Sequence, residues 1–286
     1  MSSEFKLLRH SAGIPNWARR LLGLLAALGA VVSSAPAQSP VIDIIGDSVS
    51  QGVNPELSED FGWVQLLLGE GGGMLPPPRT DTIFTLFPSA EVHNSAVSFA
   101  TAADWASPET MMLQPVLDRE PDLVVVFIGG NDFLQSILDG EFTADEQDAV
   151  RTHLTTIVDE LQTLPATPEI ILVDYYDLVD GLSENLPFPL DLFAGISDAV
   201  LTGNQIIHSV GSEKGCRVVS IYDDFLHHCY GREFGDTEAL EPPYMLFPAS
   251  EFDIHPVTAG HRAIADEVCE ALNAIANPSP SGFVLR

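Results

Sequence analysis

Leu123-Val124-Val125-Val126-Phe127-Ile128 runs directly into Gly129-Gly130-Asn131-Asp132. A nearly unbroken apolar run of this length, bounded by glycines, reads as a strand buried on both faces. Such strands belong to the interior of parallel sheets whose two faces are covered by helices. Ile170-Ile171-Leu172-Val173 has the same character, and Val41-Ile42-Asp43-Ile44-Ile45 is a short β-branched run that ends at Gly46. Glu91-Val92-His93 and Arg217 to Ile221 supply two further strands. Helical stretches lie between them: Phe61 to Leu68, a segment opened by the capping box Thr143/Glu146, Leu192 to Val210, and Ala259 to Ala276. Strands separated by helices imply right-handed crossovers, hence an α/β fold with one parallel sheet between two helical layers. With no internal repeat and no linker, residues 38–280 form one domain, and 281–286 form a frayed tail.

Composition supports that reading and narrows the partners. The chain has 286 residues, 45% of them hydrophobic, which suffices for one sizeable core. It carries 12 Lys and Arg against 41 Asp and Glu, a formal net charge of -29. A surface this acidic repels phosphate backbones and anionic headgroups, so nucleic-acid partners are excluded.

The first 37 residues are set apart from the fold. Arg19 and Arg20 precede an apolar run from Leu21 to Val32, followed by Ala35-Pro36-Ala37. A basic flank, a short hydrophobic stretch and a small-x-small site read as a signal peptide cut after Ala37, and so as a secreted or periplasmic protein. The apolar run is too short to span a bilayer, so no stable membrane insertion is expected after cleavage. Four of the 12 basic residues and one of the 41 acidic ones lie in this segment, which leaves 8 and 40. Three cysteines, Cys216, Cys229 and Cys269, allow one disulfide and leave one free thiol. His227-His228-Cys229 has no ligand spacing that suits zinc, because adjacent side chains do not converge on one ion.

In a parallel α/β sheet, ligands bind beyond the carboxyl ends of the strands, so the residues just after each strand carry the chemistry. After the first stands Gly46-Asp47-Ser48-Val49-Ser50, a serine in a glycine-flanked turn near a helix start, where developing negative charge is favoured. After the second comes Asn94-Ser95-Ala96-Val97-Ser98-Phe99-Ala100-Thr101. After the third, the Asn131 amide is a donor placed to meet an oxyanion, beside glycines that let substrate approach. Before the last helix stands Asp253-Ile254-His255-Pro256, a histidine base with a carboxylate two residues away.

These four blocks, in this order, resemble the GDSL (or SGNH) hydrolase superfamily over residues 41–276. The resemblance implies a flavodoxin-like three-layer α/β/α sandwich with a five-stranded parallel sheet. It implies ester hydrolysis through an acyl-serine, with Ser48 as nucleophile and His255 as base, on a small-molecule or glycan ester. The Ser48 N–H, a second-block N–H and the Asn131 amide would hold the oxyanion, each worth around 3 kcal/mol. No metal or organic cofactor is implied. The sequence departs from the family twice. Phe99 stands where the second block usually has glycine; it keeps the N–H donor for the oxyanion hole but narrows the approach and resists positive φ, so either a neighbour donates or Phe99 shapes the acyl pocket. The family's Asp-x-x-His reads Asp253-x-His255 here, leaving Asp253, Glu251 or a main-chain carbonyl to orient the imidazole.

His93 and His261 are expected to be structural, and Asp47 and Asp132 to bond local backbone. Trp63 and Trp105 are core or groove residues. The readings that follow are a secreted serine esterase, a carbohydrate O-acetylesterase, or a binding module on the same fold with its catalysis silenced.

Overall fold

The computed structural model describes residues 39–57, 60–72, 75–182, 195–245 and 253–278. The predicted signal peptide, the 281–286 tail and Glu251 lie outside them. Five strands form one sheet: β1 (Val41–Gly46), β2 (Glu91–Asn94), β3 (Leu123–Phe127), β4 (Glu169–Val173) and β5 (Arg217–Val219), in the order β2-β1-β3-β4-β5. Every pairing is parallel, as expected, and Gly46 of β1 lies opposite Phe127 of β3. The three inner strands are almost wholly buried, whereas the edge strands β2 and β5 are partly exposed. That burial pattern explains why β1, β3 and β4 read as continuous apolar runs.

The described helices are α1 (Ser48–Gln51), α2 (Trp63–Leu67), α3 (Ile83–Leu86), α4 (Ala102–Ala106), α5 (Gln114–Asp118), α6 (Gly130–Asp139), α7 (Ala144–Gln162), α8 (Ile196–Lys214), α9 (Tyr222–Phe225) and α10 (Thr258–Ala276). Helix α10 packs with α2 and α3, while α7 and α8 pack together, α4 joining α7 and α6 joining α8. The capping box at the start of α7 is present: Thr143 and Glu146 each receive the other's backbone N–H. Gly203 lets α8 approach α6, since a Cβ there would lie 2.2 Å from the Phe133 ring.

Several boundaries differ from the sequence reading. Helix α8 starts at Ile196, just after Gly195, which takes a left-handed φ of 88° that α-helix does not admit; residues 192–194 lie outside the described part. Strand β5 stops at Val219 because Asp174 accepts the N–H groups of Ile221 and Tyr222 and turns the chain into α9. The disulfide that three cysteines would allow is not formed: Cys216, Cys229 and Cys269 are all free thiols, set before β5, after α9 and on α10. Asp43, fully buried in β1, is held by Arg119 Nε at 2.6 Å and by the Ser95 hydroxyl at 2.7 Å. Burying a carboxylate is tolerable only with such partners.

Candidate active site

The chain leaves β1 through a tight turn whose geometry the sequence dictates. Gly46 has no room for a side chain, since a Cβ would sit 2.7 Å from the Phe127 carbonyl. Asp47 then caps α1, accepting the Val49 N–H at 2.9 Å, so Ser48 becomes the first helical residue. Backbone N–H groups in a first turn have no intrahelical acceptor, which leaves the Ser48 N–H available. The turn is tied to its neighbours. The Gly46 carbonyl accepts the N–H of Val97 and the Trp105 indole N–H, both at 3.1 Å. Asn94 Nδ2 donates to the Ser50 carbonyl at 2.8 Å.

The loop after β2 is fastened from both sides. Ser98 donates its N–H and its hydroxyl to Gln51 Oε1, at 3.0 and 2.7 Å. Asn131 Nδ2 donates to the Ala100 carbonyl at 2.9 Å, and Asp132 accepts the Ala102 N–H at the same distance. One amide proton of Asn131 is thereby spent on orientation, and the other remains for a ligand. Phe99, between the two anchors, takes a φ of 65° and is 82% exposed. It thus adopts the glycine-like backbone its position calls for, at a steric cost that glycine would not meet.

Three residues from distant parts of the chain meet at the carboxyl edge of the sheet. Ser48 Oγ lies 2.8 Å from His255 Nε2, and His255 Nδ1 lies 2.6 Å from Asp253 Oδ1. The same carboxylate oxygen accepts the His255 backbone N–H at 2.9 Å. This Asx-type turn explains how a spacing of two serves where the family uses three. A carboxylate on Nδ1 fixes the proton there and leaves Nε2 as the acceptor for the serine hydroxyl. Beside Ser48 opens an apolar recess of about 40 Å³, with Phe133, Leu134, Tyr176 and Ile254 among its walls. Phe99 is not part of its lining. Its left-handed backbone turns the side chain out to solvent instead.

Three tyrosines at the site were not singled out from the sequence. The Tyr175 hydroxyl donates to Asp47 Oδ2 at 2.7 Å, and its backbone is gripped by Asn204 through two hydrogen bonds of 2.9 and 2.7 Å. The Tyr176 hydroxyl donates to the Ile254 carbonyl at 2.8 Å, and the Tyr230 hydroxyl to the Asp253 carbonyl. Consecutive carbonyls of the Asp253–His255 segment are therefore held by two phenols. Tyr175-Tyr176 follow β4, so the strand-end rule extended to the fourth strand would have found them.

Burial pushes the Asp47 carboxyl up to about 6, against the opposing pull of the Tyr175 hydroxyl and the Val49 N–H. Asp132 is likewise raised to about 6 by burial. Asp47 bonds local backbone as expected, whereas the backbone N–H that Asp132 accepts is that of Ala102, distant in sequence. His261 is fully buried on α10, with Nε2 2.9 Å from the Val53 carbonyl, and burial lowers its pKa to about 4. His93 pairs with Glu91 on edge strand β2. Trp63 and Trp105 are core residues. His227 turns to Asp236 and Glu238, while His228 bonds the Pro242 carbonyl and stacks on Tyr244, so the adjacent rings diverge.

The sequence profile of the GDSL-like Lipase/Acylhydrolase family matches residues 44–263. Among solved structures, the acetyl xylan esterase AlAXEase is similar with a TM-score of 0.56 at 18% identity, over 81% of this chain and 98% of that one. LAE5, an α/β hydrolase enzyme from the metagenome of Lake Arreo, Spain, gives 0.55 at 20% identity, over 83% and 96%. A catalytic mutant of Axe2, an acetylxylan esterase from Geobacillus stearothermophilus, gives 0.52 at 18% identity, over 82% and 94%. At these identities the likeness is one of fold. No curated protein sequence matches the chain.

The depressed pKa of His261 has a consequence for stability. The unfolded chain takes up a proton on this residue near pH 6.5, whereas the folded one resists until about 4. Its contribution is therefore complete above pH 6.5 and is lost as the pH falls towards 4. Urea unfolding of the wild type and His261→Gln across pH 4–7 should show the wild type losing up to about 3 kcal/mol more than the variant. A difference that does not change with pH would contradict the buried neutral imidazole.

Proposed function

The chain belongs to the GDSL-like lipase/acylhydrolase family, and is thereby a carboxylic ester hydrolase; we propose that it cleaves short-chain esters by transferring the acyl group to Ser48. The observation that carries this reading is the continuous line of contacts from Ser48 Oγ through the His255 imidazole to Asp253. His255 Nε2 accepts the hydroxyl proton as Oγ attacks the ester carbonyl carbon. Asp253 keeps the other ring nitrogen protonated and stabilises the imidazolium that forms. The negative charge moves to the former carbonyl oxygen. The N–H groups of Ser48 and Phe99 and the second amide proton of Asn131 are the donors for it. Collapse of this intermediate expels the alcohol, which leaves with the proton from His255. Water then repeats the sequence on the acyl-serine, and the acid departs.

The size of the recess beside Ser48 supports a short acyl group. About 40 Å³ is room for roughly three waters, which suits an acetyl or propionyl tail. A carbohydrate O-acetylesterase is the second reading, favoured by that small recess and by the fully presented ring of Phe99 just outside it. A silenced binding module is disfavoured by the intact Ser48–His255–Asp253 contacts. The net charge of -29 argues against anionic lipid surfaces as the site of action.

We also place the working enzyme outside the cytoplasm, on the charge and hydropathy pattern of residues 1–37. N-terminal sequencing of exported protein should begin at Gln38; an intact leader on exported material would refute cleavage there. For the mechanism, initial rates on 4-nitrophenyl acetate should fall at least about 10⁴-fold in Ser48→Ala and at least about a hundredfold in Asp253→Asn. Circular dichroism should show both variants folded. Glu251→Gln should change kcat less than about fivefold, and the reverse ranking of the two acidic variants would move the orienting carboxylate to Glu251.

A further inference from the structure

Phe99 combines a strained backbone with an exposed aromatic side chain. It holds a φ of 65°, a region that bulky side chains avoid, and among the described residues it is the most exposed of the large hydrophobics, at 82%. Backbone strain of this kind persists where surrounding structure enforces it, and it concentrates at functional positions. The enforcement is visible on both sides. Ser98 is locked to Gln51, three residues beyond the nucleophile, and Ala100 is locked to Asn131. Val97 is fixed to the Gly46 carbonyl, and Thr101 closes a capping box with Asp104 at the start of α4. The ring is thus presented to solvent from a loop tied on one side to the helix that carries Ser48 and on the other to Asn131.

We propose that Phe99 is a stacking platform for the alcohol part of the ester, and that this alcohol is an uncharged sugar ring; the inference rests on the reading of Ser48 as the nucleophile. The acyl group and the alcohol lie on opposite sides of the scissile carbonyl. The recess lined by Phe133, Leu134 and Ile254 takes the first, and Phe99 lies outside that recess. What meets Phe99 is the portion that stays at the surface. An exposed aromatic face in water favours a partner with an apolar face of its own and a polar rim, the description of a pyranose. The strongly acidic chain disfavours an anionic occupant. Val97, 39% exposed, adds apolar surface to the same loop.

The test compares two acetate esters on each enzyme: ethyl acetate, whose alcohol cannot stack, and mono-acetylated xylotriose. The readout is the ratio of the two kcat/KM values, so any change in the backbone donor at position 99 affects both terms. In Phe99→Gly, which keeps the N–H and accepts the positive φ, the ratio should fall at least tenfold in disfavour of the sugar ester, mainly through KM. Phe99→Trp should restore it to within about threefold of wild type. The melting temperature of Phe99→Gly should not fall and should rise as strain is relieved, which separates a lost platform from a damaged fold. A ratio within twofold of wild type in Phe99→Gly, with both esters turned over, overturns the platform while leaving the esterase reading intact. Failure of the wild type on both esters overturns the assignment of Ser48 and the platform with it.

Discussion

With Gly46 of β1 paired opposite Phe127 of β3, the two chains leave the sheet side by side, one into Asp47-Ser48 and the other into Gly129-Gly130-Asn131. This is also where the connections part, since β1 crosses to β2 on one side and the chain returns to β3 on the other. In open α/β sheets such a switch point leaves a crevice that no crossover fills. Every later feature of the site depends on that pairing. The loop after β2 reaches across to both neighbours, taking the Gly46 carbonyl on one side and the Asn131 amide on the other. A slip of register would separate nucleophile and amide by a strand residue, about 3.3 Å, and break the hydrogen bonds that span them.

The polar loops above the sheet are organised by buried carboxylates. Asp47, Asp132 and Asp180 each accept backbone N–H groups, and burial raises each of them to about 6. Asp180 gathers the N–H groups of His227, Cys229 and Gly231, and so folds the segment that carries Tyr230. Tyr230 and Tyr176 then hold the carbonyls of Asp253 and Ile254. His255 is thus held through successive hydrogen bonds from Asp180 and the tyrosine hydroxyls. A folded pKa above the unfolded value of 3.8 means that such a group stabilises the fold at low pH and loses that contribution as the pH rises through about 6. These acids therefore work against His261, whose contribution grows with pH. Positioning of the loops comes at a cost in stability near neutrality.

Much of this was legible in the sequence because it depended on patterns of short range. Short strand-like runs between helical stretches located all five strands, the rule that ligands sit at strand ends brought Ser48 and Asn131 forward, and His255 stood out by its place before the last helix with a carboxylate two residues away. Asp253 could be nominated from extended-chain geometry, in which residues two apart share a face. Other features depended on contacts between distant residues. The buried Asp43 of β1 is tolerated because Arg119 pairs with it and the Ser95 hydroxyl donates to it, partners that lie far along the chain. Likewise only the fold shows the Tyr175 and Tyr176 hydroxyls reaching Asp47 and Ile254. Phe99 was read as resisting a positive φ; the anchors at Ser98 and Ala100 overrule that local preference. The cysteines allowed a pairing that their separate places in the fold do not make.

The central claim is that Ser48, activated by His255, is the group that becomes acylated. The most direct measurement is peptide mapping by mass spectrometry after treatment with a serine-directed fluorophosphonate, on native and on urea-unfolded protein. The account predicts a single adduct on Ser48 in the native protein, formed in step with loss of esterase activity and absent after unfolding, because an unassisted serine hydroxyl is a weak nucleophile. An adduct on another residue that tracks the loss of activity, or full inactivation with Ser48 unmodified, would contradict it.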